Sequence, residues 1–139
     1  MKLSARSRYG TRMMVDLAQN YAKGPIRLSS IAGREGLSRK YLEQLIIPLK
    51  KNGFIKSFRG PKGGHMLARP PEEISVGEIV KALEENTSLT ACIDNPEVCD
   101  RTEFCPTRNV WAIATLAMFK KLNSISLTDI ITKNMLLDD

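Results

Sequence analysis

Ser38-Arg39-Lys40-Tyr41-Leu42-Glu43-Gln44-Leu45-Ile46-Ile47-Pro48-Leu49 is followed, past Gly53, by Phe54-Ile55-Lys56-Ser57-Phe58-Arg59-Gly60-Pro61-Lys62-Gly63-Gly64, and the order of these two stretches decides the fold. In the first, Leu42, Leu45, Ile46 and Leu49 recur at i, i+3, i+4 and i+7, the stripe of a helix with one face on a core. Arg39, Lys40, Glu43, Gln44 and Lys51 are left outside. Ser38 suits the N-cap, with Leu37 and Leu42 placed to close a hydrophobic staple across it. Pro48 lacks a backbone N–H, so the straight, exposed part of this helix is expected over 39–47, with a kink in the last turns. In the second stretch apolar and polar residues alternate up to Arg59, a glycine-rich turn follows, and His65-Met66-Leu67-Ala68 resumes the run: strand, turn, strand.

Upstream, Tyr9, Met13, Met14, Leu17, Ala18 and Tyr21 lie at helical spacing opposite Arg12, Asp16 and Gln19, which predicts a first helix over 9–21 stopped near Gly24-Pro25. Leu28-Ser29-Ser30-Ile31-Ala32 suits a short helix with a serine N-cap, ending between Gly33 and Gly36. Two helices joined at Gly36 make a helix-turn-helix, and a basic hairpin directly behind it is the layout of a winged helix. The expected fold is therefore mainly α with a small β-hairpin. Its second helix suits a DNA major groove, and its hairpin tip the neighbouring backbone or minor groove.

Charge agrees with that partner. Residues 1–70 carry fifteen Lys and Arg against Asp16, Glu35 and Glu43, a balance of +12, whereas residues 71–139 balance at −6. The basic half attracts polyphosphate and the acidic half is repelled from it, free for another task. At 139 residues, 42% hydrophobic and 26% charged, the chain has the size and composition of one folded domain rather than a disordered one. No apolar run approaches the roughly 18 residues of a membrane span. The N-terminus is polar, without the apolar core of a secretory signal, so the expected compartment is the cytoplasm.

The charge changes sign at Arg69-Pro70-Pro71-Glu72-Glu73. Beyond it Ser75-Val76-Gly77-Glu78 has the form of a capping box, and Ile125-Ser126-Leu127-Thr128-Asp129 repeats the phrase near the end, giving two similarly capped helix starts. A helix is expected from about Pro106 to Leu122, with Val110, Trp111, Ile113, Leu116, Met118 and Phe119 covering more than one face. One domain of this size has little left to bury so wide a surface, which points to a second copy of the chain covering it; the other reading is the central helix of a monomer. The divisions expected are a winged helix-turn-helix region over 1–71, a connecting helix over 72–88 and a cysteine-bearing loop over 89–108. A dimerisation helix and C-terminal helix follow over 106–134, then a tail over 135–139.

Cys92, Cys99 and Cys105 are the only cysteines, set in a loop of Asp, Glu, Asn, Thr and Pro. An odd number in a chain without an export signal argues against a disulfide framework, and polar surroundings argue against buried structural thiols. Soft thiolates on one loop suit an iron-sulfur cluster or zinc, with a bare thiol switch or inert cysteines as the alternatives. Cys105 precedes Pro106, a residue favoured at the first position of a helix, so its thiolate is expected beside a helix N-terminus that stabilises negative charge. No fourth donor is evident. His65, the only histidine, belongs to the hairpin and is expected to face solvent or phosphate, while Asp94, Glu97, Asp100 and Glu103 are oxygen candidates.

Tyr41-Leu42-Glu43-Gln44-Leu45, Leu49-Lys50-Lys51-Asn52-Gly53-Phe54-Ile55 and Arg59-Gly60-Pro61-Lys62-Gly63-Gly64 together resemble the Rrf-two-type family of bacterial winged-helix transcription regulators. That family includes iron-sulfur cluster regulators and nitric-oxide-sensing repressors. The likeness runs from Met1 through the Ile-Ser-Leu-Thr-Asp segment. It implies a homodimer with crossing C-terminal helices, bound to a double-stranded DNA operator. It also implies a [2Fe-2S] or [4Fe-4S] cluster on Cys92, Cys99 and Cys105 that senses iron-sulfur supply, iron, nitric oxide or redox state. The recognition helix would present Ser38, Lys40, Tyr41, Glu43 and Gln44, with Arg39 as a further cation, and the wing would insert Arg59 beside Gly60 and Lys62. Where the family's iron-sulfur regulators have a histidine three residues after the last cysteine, this chain has Arg108. Where its nitric-oxide sensors have an N-terminal aspartate, it has Arg8.

An enzyme is not expected. There is no C-x-x-C pair, no histidine near the cysteines for acid-base work and no phosphate loop of Walker type. The reading from outside the regulator class is a protein-interaction adaptor that keeps the fold without the DNA activity.

Overall fold

The computed structural model describes residues 1–134, and the tail expected over 135–139 lies outside the described residues. Helix α1 spans Ala5–Gln19 and starts earlier than its apolar stripe predicts. Ser4 caps it by accepting from the Ser7 N–H at 3.2 Å. The small residues Ser7 and Gly10 then extend the packed face; a Cβ on Gly10 would stand 2.3 Å from Leu83 Cδ1. Helix α2 spans Leu28–Glu35 and closes on Gly36 at φ 65°. Its cap position is Arg27, with no side-chain cap bond, so the expected serine cap is corrected. Leu28 has to turn into the core at the first helical position, and this starts the helix ahead of Ser29.

Helix α3 spans Arg39–Lys51, with the Ser38 hydroxyl accepting from the Tyr41 N–H at 3.1 Å as expected. The helix runs on through Pro48 to Lys51 rather than ending its regular part at 47. The carbonyl that Pro48 leaves without a donor belongs to Gln44, which is exposed, so water can satisfy it. Strands β1 (Ile55–Phe58) and β2 (Gly64–Leu67) form an antiparallel hairpin in the register Ile55↔Leu67 to Phe58↔Gly64. Ile26 adds a rung on its outer side, exchanging two 2.8 Å bonds with His65. The wing is thereby welded to the entry of α2.

Helix α4 spans Val76–Leu83, α5 Ala91–Asp94, α6 Arg108–Asn123 and α7 Leu127–Thr132. Both expected capping boxes are formed, Ser75 with Glu78 and Ser126 with Asp129. They also lie side by side: the Val76 N–H donates to the Ile125 carbonyl at 2.8 Å and the Leu127 N–H to the Ile74 carbonyl at 3.0 Å. Ile74, Ile79 and Leu83 thus join Met13, Leu17, Leu45 and Leu127 in one buried cluster.

A buried charge fastens α1 to α2. Asp16 is only 3% exposed and accepts both arms of the Arg34 guanidinium, at 2.7 and 2.8 Å. Replacing Arg34 with Met strands that carboxylate. The expected loss is about 2 kcal/mol, near the low end for a broken buried pair because Arg34 is itself 45% exposed. The midpoint of urea unfolding measures it, and an unchanged midpoint contradicts it.

Acid should act through Glu78. Burial alone pushes this carboxyl up, but the Ser75 N–H and hydroxyl and the Arg69 guanidinium outweigh burial and hold it below its ordinary value of 4.5. A depressed carboxylate contributes its stability in full above the ordinary value and loses it as pH falls through the folded value. Stability should therefore fall below about pH 4.5, and less steeply in Glu78→Gln, in unfolding curves taken across pH.

Candidate functional site

Ser38, Arg39 and Lys40 stand exposed at the start of α3, with Glu43 and Gln44 exposed one turn on. The capped start directs free N–H groups and the positive end of the helix dipole outward, which suits phosphate. Arg39 approaches Glu43 at 3.5 Å, so the two share one edge of the helix. Tyr41 is placed differently from its neighbours: it is half-buried, packs edge-on against Tyr9 at 6.0 Å, and supports the helix from beneath.

Arg59, Gly60 and Lys62 are exposed at the wing tip. Between wing, α3 and the start of α2 lies a groove of about 640 Å³ lined by Arg27, Arg39, Glu43, Phe58, Gly60 and His65. Two glycines fix the wing's shape. A Cβ on Gly63 would lie 2.2 Å from the Phe58 carbonyl oxygen, and one on Gly64 would lie 2.6 Å from the Ile26 backbone.

Arg27 escaped the sequence reading, because an isolated arginine before a helix carries no periodic signal. Its guanidinium donates to the Pro61 carbonyl at the wing tip, tying the hairpin to α2. His65 also departs from expectation. It is half-buried, and its Nδ1 lies 2.7 Å from the Ser57 hydroxyl. Burial and then Lys50 push its pKa down, against Glu43, so the neutral ring serves the hairpin rather than phosphate.

The cysteines are brought to one segment but not to one point. Cys92 lies in α5, half-buried, with its sulfur 3.2 Å from the Thr90 hydroxyl. Cys99 is exposed on the stretch between α5 and α6. Cys105 lies just ahead of α6, its sulfur 3.3 Å from the Thr107 hydroxyl. That hydroxyl, followed by the N–H of Arg108, holds the Cys105 thiol below its ordinary value, as expected of a thiol beside a helix start. Among the described residues no three His, Cys, Asp or Glu side chains are gathered as a metal-holding group. The oxygen candidate Asp94 accepts from Ser88. The donor set fits a soft metal or an iron-sulfur cluster in kind, with three thiols of which one, Cys105, is held below its ordinary pKa.

Helix α6 buries Thr115 and Phe119 and leaves Val110, Ile113 and Leu116 exposed. Among the described residues no helix is long and apolar enough to cross a membrane.

Comparison with known proteins is consistent with this architecture. The chain matches the Rrf2 family, iron-dependent transcriptional regulators, over residues 3–133. It is 45% identical over 130 residues to the protein rrf2 of Nitratidesulfovibrio vulgaris, covering 94% of this chain and 87% of that one. To the helix-turn-helix-type transcriptional regulator IscR of Escherichia coli it is 36% identical over 138 residues, 99% of this chain and 85% of that one. Its fold is similar to that of T. potens IscR, with a TM-score of 0.78 at 37% identity over 100% of this chain and 94% of the other. CymR, the global cysteine regulator of B. subtilis, matches with a TM-score of 0.78 at 34% identity over 96% and 98%. These relatives are transcriptional regulators and not enzymes. The winged helix, the basic front half and these likenesses lead to one assignment: the chain belongs to the Rrf2 family of transcriptional regulators.

Proposed function

We propose that two copies of this chain bind a double-stranded DNA operator in the cytoplasm, and that an iron-sulfur cluster, [2Fe-2S] or [4Fe-4S], on Cys92, Cys99 and Cys105 sets how tightly they bind. The observation that carries the DNA half is the exposed basic start of α3, facing across one groove the wing tip with Arg59 and Lys62. In that docking Ser38, Arg39, Lys40 and Lys62 meet phosphate. Gln44 reads adenine or guanine edges, Glu43 accepts from cytosine, and Arg59 beside Gly60 enters the minor groove. Tyr41 holds the helix at the right height. The uncovered face of α6 pairs with its own copy.

Residues 1–71 then serve as the DNA-binding region, 72–88 as the connection, 89–108 as the effector segment and 106–134 as the dimer and C-terminal helices. A bound cluster supplies a centre that responds to iron supply, nitric oxide or oxidants. The chain's own part is to gather three separated thiols, which requires residues 95–104 to reorder against α6. Coupling of this kind is worth about 1–3 kcal/mol, a roughly 5- to 150-fold change in affinity. A zinc-binding or thiol-switch regulator of the same fold is the second reading; the separation of the thiols and the lowered pKa of Cys105 favour its thiol-switch form.

Anaerobic reconstitution with iron and sulfide separates the two. A coloured, iron-bearing protein with altered operator affinity supports the cluster. A colourless, iron-free product rules it out, and elemental analysis then distinguishes zinc from free thiols.

A further inference from the structure

Arg108, the first residue of α6, is half-buried, and its Nε and Nη2 both donate to the Cys92 carbonyl, at 3.2 and 3.0 Å. That carbonyl is available for a local reason. In a helix continuing through α5 its partner would be the N–H of residue 96, and residue 96 is proline. The short helix therefore ends with an acceptor that the backbone N–H four residues on cannot satisfy, and the Arg108 side chain supplies the donors.

A second tie holds the same strap. The Leu89 N–H donates to the Thr115 hydroxyl at 3.1 Å, and buried Thr115 donates back to the Trp111 carbonyl at 2.8 Å. The strap carrying Cys92 is thus fastened to α6 at two points about two helical turns apart. Arg108 thus grips the main chain of the first cysteine while standing three residues past the last, Cys105. Guanidinium has five donors and no lone pair to offer, so Arg108 cannot itself ligate a metal.

We infer that Arg108 is a positioning residue, holding the main chain of Cys92 against the start of α6 and passing any change in the cysteine segment to that helix. The passing-on rests on the reading of the cysteines as the effector site; the clamp itself does not. In metal-free wild-type protein Cys92 should react with iodoacetamide more slowly than exposed Cys99, which serves as reference within the same molecule. In Arg108→Ala the Cys92 rate, followed by mass spectrometry, should rise on the order of fivefold toward that of Cys99 as the strap opens locally. Arg108→Lys, which keeps a cation and a donor but not the fork, should fall between. Melting temperatures identify any variant that has lost its fold, and Arg108→Lys then carries the comparison. Unchanged Cys92 reactivity in a folded variant overturns the clamp.

The transmission is read separately, as the ratio of operator affinities with and without anaerobic treatment with iron and sulfide. Arg108→Ala should bring that ratio toward one, and a wild-type ratio in this variant overturns transmission. If the wild-type protein takes up no iron, the cluster reading fails while the alkylation result still decides the clamp.

Discussion

Gly64→Val is expected to cost operator binding about 30- to 20,000-fold while leaving a folded protein. A side chain at 64 would have its Cβ 2.6 Å from both the carbon and the oxygen of the Ile26 carbonyl, and φ there is +153°. Backbone cannot step aside as a flexible side chain can, so the two rungs between Ile26 and His65 must break. The hairpin then swings off α2 with Arg59 and Lys62 on its tip. Each lost groove contact is worth about 1–3 kcal/mol, and a dimer has two wings, giving about 2–6 kcal/mol in all. Because β2 also buries Leu67, some stability goes with it, about 1–2 kcal/mol. Gly33→Ala is the control: nothing lies within 4 Å of a Cβ there and the residue sits in α2, so its effect should be much smaller. Fluorescence anisotropy with operator and random duplexes measures both variants. Wild-type affinity in Gly64→Val would remove the wing from the mechanism.

The second large effect concerns α6. Ile113 and Leu116 are 66% and 70% exposed and lie about one turn apart on α6. If a second copy covers this face, Leu116→Glu places two carboxylates in one apolar contact, a cost of several kcal/mol that Lys120, one turn on, offsets only in part. The variant should run as a monomer at micromolar concentration in light scattering. Losing the link between two half-site readers should lower operator affinity by about 10²- to 10⁴-fold, since the second reader no longer binds at high effective concentration. The fold should survive, because Leu116 is outside the core of one chain, but melting should fall by what dimerisation contributes and lose its dependence on protein concentration. A dimer of normal affinity in Leu116→Glu would place the interface elsewhere.

The sequence discloses the front of this fold better than the back, and particular residues explain why. Ser38, Gly36 and the Gly63-Gly64 pair act on backbone within a few positions of themselves, so helix, turn and hairpin can be read locally. Helix α1 begins at Ala5 because Ser7 and Gly10 pack by being small, and smallness leaves no mark in an apolar stripe. Helix α5 has only four residues and is held by Arg108 and Thr115, which lie sixteen and more positions away. No spacing rule encodes such a tie. Of the residues proposed to face DNA, exposed Ser38, Lys40 and Gln44 follow from the outward side of one helical stripe. Half-buried Tyr41 and the anchoring of the wing by Arg27 depend on where α1 and α2 come to rest.

The paired capping boxes have a consequence for how this molecule can be taken apart. The chain's last described helix is stitched by main-chain bonds to the start of α4, and Leu127 and Ile74 share the interior occupied by Met13 and Leu45. A fragment cut at residue 71 would carry the reading surface away from Ile74, Ile79, Leu83 and Leu127, part of the apolar filling that holds it up. The DNA reader is therefore not a module that can be transplanted alone, and heating or urea should melt head and rear together in a single transition.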